Sequence, residues 1–151
     1  MQISNLNVLQ EFAAGRAPIL CVLSQASGRY HTGIHNALNR MFHLYRAAPH
    51  RNRRGEARIT KMRKGRTLVD LYLTESGDKT KIKNHYCGLT LYRSLNSFLT
   101  QAQALGIVVS EIGIQSINLP NADRQMVQKD LEEWERNTGI KVTMYVTEKR
   151  R

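Results

Sequence analysis

The chain has 151 residues, with 23 Lys and Arg against 12 Asp and Glu and a net charge of +11. That length suits one domain with an ordinary core, and no apolar run approaches the roughly 18 residues that would span a membrane. The start, Met1 to Phe12, lacks the basic opening and long apolar stretch of a secretory leader, so a cytoplasmic location is expected.

Ile19–Ser24 is a continuous apolar run of strand length, the pattern of a strand buried on both faces. A small, polar loop follows to Gly33. From Ile34 the apolar residues Ala37, Leu38, Met41, Phe42 and Tyr45 recur at helical spacing, with Thr32 as a cap and Pro49 as a stop. Ala57–Met62 and Thr67–Thr74 read as two strands of a hairpin turning at Lys64-Gly65-Arg66. Ser76–Asn84 is polar and reads as a loop. Leu91, Leu95, Phe98, Leu99, Ala102 and Leu105 make a second helical stripe, closed by Gly106. Val108–Gln115 holds a strand. After a loop around Pro120, Asp123 is placed to cap a third helix whose inward face is Met126, Val127, Leu131 and Trp134. Ile140–Val146 is the last strand, and a short strand near Ile3 completes the set. Helices alternating with strands predict a three-layer α/β fold, a mostly parallel central sheet with helices on both faces. Residues 1–147 form one domain on this reading, and 148–151 a frayed basic tail.

The positive charge is concentrated. Between Arg40 and Arg66 lie ten Lys and Arg, interrupted by one acid, Glu56, while acids gather at Glu132, Glu133 and Glu135. A local field of this kind captures anions, and phosphates of a nucleotide or nucleic acid are the expected partners. Arg46, Arg51, Arg53, Arg54, Arg58, Lys61, Arg63, Lys64 and Arg66 are the candidate nucleic-acid contacts, single strands being preferred because no recognition helix is evident. A solvated face that serves only solubility is the plainer reading. In parallel sheets ligands sit beyond the carboxyl ends of strands. This points to two loops, each followed by a helix whose free N–H groups suit phosphate. The first offers Ser24, Gln25, Arg29, Tyr30, His31, Gly33 and Ile34, the second Ser116, Asn118 and Asn121. Arg29 can pair with phosphate and Tyr30 can stack on a base, against an ordinary exposed loop. Asn118 and Asn121 serve as readily in an Asx turn. His31 and His35 share a helical spacing but find no third ligand, so neither a metal nor a cofactor is expected. Cys21 and Cys87 read as free buried thiols, and Cys21, mid-strand, is inert.

Four segments in order carry a family resemblance: ILCVLSQASGRYHTGIHNALNRMF from Ile19, GEARITKMRKGRTLVDLYLT from Gly55, LTLYRSLNSFLTQAQALGI from Leu89, and WERNTGIKVTMYV from Trp134. Together they resemble the macrodomain, the ADP-ribose-binding α/β fold, and look closest to the branch of the terminal ADP-ribose protein glycohydrolase. The resemblance implies that fold and an ADP-ribose-type ligand. The family's glycine-rich turn is reduced here to Gly33-Ile34, and the second phosphate loop, Ser116 to Asn121, has no glycine. Glycines let a backbone approach a diphosphate closely, so the ligand loops are degenerate. The branch's lysine after the strand Leu71–Thr74 is Glu75 here, and its aspartate aligns with Asp123 only across a gap. The expected function is therefore phosphate-ligand binding without hydrolysis. Two alternatives stand beside it. One is an ADP-ribosyl hydrolase acting on protein or nucleic acid through Glu75 or Asp123. The other is a small viral or phage accessory protein docking on a polymerase or a host defence enzyme.

Overall fold

The protein is described from a computed structural model over residues 1–26, 33–42, 53–76, 80–115 and 121–146. Six strands form one sheet: β1 (Gln2–Ser4), β2 (Ile19–Gln25), β3 (Ala57–Lys61), β4 (Thr67–Thr74), β5 (Glu111–Gln115) and β6 (Lys141–Tyr145), ordered β1-β6-β5-β2-β4-β3. All neighbours are parallel except β3 against β4. The helices are α1 (Val8–Ala13), α2 (Gly33–Phe42), α3 (Gly88–Ala104) and α4 (Asn121–Thr138).

β2 is apolar throughout because both its faces are covered. Ile19 and Cys21 point into a core shared with α3 and α4, through Leu91, Leu95, Phe98, Val127, Leu131 and Trp134. Leu20 and Val22 point the other way, to Val8 and Phe12 of α1 and Ile34 and Leu38 of α2. Full burial of each such side chain contributes about 1.5–3 kcal/mol. The mostly parallel, three-layer architecture is thus the expected one, with α1 and α2 on one face and α3 and α4 on the other.

Several local expectations are corrected. α1 was not expected, since six residues are too few to show periodicity; Asn7 caps it, its Oδ1 accepting from the N–H groups of Leu9 at 3.0 Å and Gln10 at 3.1 Å. α4 begins at Asn121, so Asp123 lies in its first turn, where the helix dipole still favours an acid, rather than at the cap. Met126 and Leu105 are exposed, Met126 because it lies off the Val127–Leu131–Trp134 stripe and Leu105 because it follows the last turn of α3. Tyr45, Pro49 and the tail 147–151 lie outside the described residues. No described helix is long and apolar enough to cross a membrane.

Candidate phosphate-binding site

Parallel strands bring their carboxyl ends to one edge of the sheet. Gln25 ends β2 beside Thr74 of β4, and Gln115 ends β5 beside Tyr145 of β6. Just beyond, the Ala26 N–H donates to the Thr74 carbonyl at 2.8 Å. α2 follows β2 and α4 follows β5, so both helix starts belong to this edge. Gly33 opens α2 and Asn121 opens α4. Arg29, Tyr30, His31, Ser116 and Asn118 lie outside the described residues.

Ser24 and Ile34 turn inward. Ile34 packs in the α1–α2 core. Ser24 is 4% exposed and meets two other buried polar residues, His35 at 2% and Asp70 at 0%. Its Oγ donates to Asp70 Oδ1 at 2.7 Å and lies 2.9 Å from His35 Nε2. His35 Nε2 and Asp70 Oδ1 are 3.7 Å apart. The sequence explains the meeting. Val22 and Ser24 share a face of β2, Asp70 stands opposite Val22 in register, and α2 lays His35 over them.

The order of these groups decides their chemistry. A serine nucleophile needs an imidazole between hydroxyl and carboxylate, so that the ring takes the hydroxyl proton. Here the hydroxyl stands between ring and carboxylate. With the Ser24 proton given to Asp70, the proton on Nε2 of His35 is what faces Ser24. The cluster ties β2, β4 and α2 together, and its order is not that of a serine nucleophile. Sequence reading missed it. The available signal was Asp70 itself, a lone acid in the apolar strand Thr67–Thr74, which burial obliges to find partners.

The two candidate acids stand apart from this cluster. Glu75 is exposed at the exit of β4. Buried Asn84 clamps that turn, its Oδ1 accepting from the Glu75 N–H at 3.1 Å and the Ser76 N–H at 2.9 Å. Asp123 is half-buried on α4.

The cations divide into different roles. Arg66 is engaged within the fold: Nη1 donates to the Ala13 carbonyl at 2.9 Å, Nε to the Arg63 carbonyl at 3.2 Å, and the guanidinium sits 5.0 Å over the Phe42 ring. Arg54 Nε donates to the Leu73 carbonyl at 3.0 Å. Arg58 stands opposite Asp70 in register and is half-buried. Arg53, Lys61, Arg63 and Lys64 are exposed. Arg46 and Arg51 lie outside the described residues.

Cys21 is buried as expected, and burial, then the charge of Asp70, pushes its thiol well above the ordinary range. Cys87 corrects the expectation. It is exposed at the start of α3, and hydrogen bonds from the Thr90 backbone and side chain hold its thiol below the ordinary value. Among the described residues no cluster of three or more His, Cys, Asp or Glu could hold a metal ion.

No family model matches the chain, and no curated protein matches it significantly. Solved structures do. The macrodomain of Thermus aquaticus DarG superposes with a TM-score of 0.64 at 15% identity, covering 95% of this chain and 96% of that one. A macrodomain protein from Streptomyces coelicolor gives 0.64 at 16%, covering 87% and 89%. Thermosipho africanus DarTG, solved in complex with ADP-ribose, gives 0.63 at 12%, covering 90% of this chain and 39% of that one. The chain has the macrodomain fold.

Proposed function

We propose that this chain is a binding module for a phosphate-bearing ligand, an ADP-ribose-type nucleotide or a nucleic-acid strand, without hydrolase activity. The observation that carries the reading is the arrangement at the carboxyl edge of the sheet. The neighbouring strands β2 and β5 are each followed there by a helix, and a helix start carries a partial positive charge that favours an anion. The buried Ser24–His35–Asp70 tie fixes α2 to the sheet behind that edge. Pre-organisation of this kind lowers the ordering cost of capture. The structural neighbour from Thermosipho africanus, which was solved with ADP-ribose, supports the nucleotide form of the ligand.

Calorimetric titration with ADP-ribose and with a single-stranded oligonucleotide tests the reading, together with a turnover assay on ADP-ribosylated protein and nucleic acid. Binding of at least one ligand with no turnover is the expected result. Turnover abolished by Glu75→Ala or Asp123→Ala would replace the reading by the hydrolase one.

A further inference from the structure

Among the described residues the basic stretch does not form one patch; β3 divides it. Gly55 donates to the Tyr72 carbonyl at 2.7 Å and Arg54 to the Leu73 carbonyl, so Arg53 and Arg54 lie beside the carboxyl end of β4. Lys61 stands opposite Thr67, so Lys61, Arg63 and Lys64 lie at the amino end of β4. β3, whose five residues span about 17 Å, runs from the first group to the second. A single phosphate or a diphosphate cannot reach both, whereas a polymer can. β3 is an edge strand, and Arg58 lies between the groups. Glu56 is the one acid from Arg53 to Arg66.

The far end is also strained. Lys64 has φ 62 and ψ 33, and among the described residues no other non-glycine has a positive φ. Gly65 follows at φ 73. Two successive left-handed residues make the type I′ turn of a tight hairpin, where Asn-Gly fits at lower cost than Lys-Gly. A lysine thus stands at the tip where the backbone prefers Asn, and its side chain is exposed.

We propose that the outer edge of β3, from Arg53 to the Arg63–Lys64 tip, is a docking track for the sugar–phosphate backbone of a single-stranded nucleic acid. Guanidinium and ammonium groups spaced along a strand match phosphates spaced along a chain. Cations at both ends of β3, with Arg58 between them, can follow one strand, and among the described residues no element offers itself to a duplex groove. The proposal deepens the phosphate-ligand reading: its Arg53–Arg54 end lies at the carboxyl edge of the sheet and its Lys61–Lys64 end at the opposite edge.

The test is fluorescence anisotropy with oligo-dT of 4 and of 16 nucleotides and a 16-base-pair duplex, at two salt concentrations. It uses the wild type and an Arg63→Ala/Lys64→Asn double variant, with ADP-ribose titrated calorimetrically in parallel. The wild type should bind the 16-mer at least about tenfold more tightly than the 4-mer. The double variant should lose most of that preference, with a salt slope lower by about 1.4 for two lost phosphate contacts. Its ADP-ribose titration should equal that of the wild type. Equal 16-mer binding by variant and wild type, equal affinity for the two lengths, or tighter binding of the duplex would each overturn the track. Loss of ADP-ribose binding by the wild type with the 16-mer preference intact would overturn the nucleotide pocket and support the track.

Discussion

Removing the carboxylate of the buried cluster should cost a large part of the stability. Asp70 is fully buried and accepts the Ser24 hydroxyl at 2.7 Å, with His35 Nε2 at 3.7 Å. Asp70→Ala leaves the Ser24 hydroxyl buried without its 2.7 Å acceptor and opens a cavity. A stranded buried donor costs about 1–3 kcal/mol, and the cavity left behind adds to it. A loss of about 2–3 kcal/mol is expected, against a total of roughly 5–15 kcal/mol for a domain. Asp70→Asn keeps the size and an oxygen acceptor but gives up the charge-assisted bond, so about 1 kcal/mol is expected. Urea unfolding followed by circular dichroism reads both as shifts of midpoint at constant slope. An Asp70→Ala protein within about 0.5 kcal/mol of wild type would refute the account, because it would mean the cluster is no constraint on the packing of β2, β4 and α2. A coupling energy between Ser24→Ala and His35→Leu near zero would do the same for the hydroxyl bridge.

Other expectations are narrower. At neutral pH a maleimide should label exposed Cys87 and leave buried Cys21 unreacted until the protein unfolds, and Cys87→Ser should abolish native-state labelling. Lys64→Asn, which relieves the left-handed lysine, should stabilise the fold by about 0.5–1 kcal/mol and raise Tm by roughly 1–4 °C in a thermal melt; a fall in Tm would contradict the turn assignment. Glu135 is held below its ordinary value of 4.5 by the Met1 amine at 2.6 Å and by the Val142 N–H at 2.6 Å. A depressed carboxylate contributes stability that is present above its unfolded value and lost as pH falls through its folded one. Stability measured in urea should therefore decline below about pH 4.5 with a slope that Glu135→Gln reduces, and an unchanged slope would count against it.

Much of the architecture was legible in the chain. Ile19–Ser24 reads as a strand buried on both faces because nothing polar interrupts it before Ser24, and helices α3 and α4 announce their inward faces by period. The alternation of strands and helices is enough for a mostly parallel sheet. Short α1 was not legible, because a single turn and a half carries no periodicity and depends on docking Val8 and Phe12. The concentration of cations from Arg40 to Arg66 is a property of the sequence alone. How they divide is not: strand pairing sends Arg54 to one end of β4 and Lys64 to the other, and folds Arg66 onto Phe42 and Ala13. Likewise Ser24, His35 and Asp70 are 11 and 35 positions apart, and only register and helix docking bring their polar atoms within reach. Local pattern reports what each segment buries. Which buried groups meet is settled by long-range pairing, whose partners no window of sequence contains.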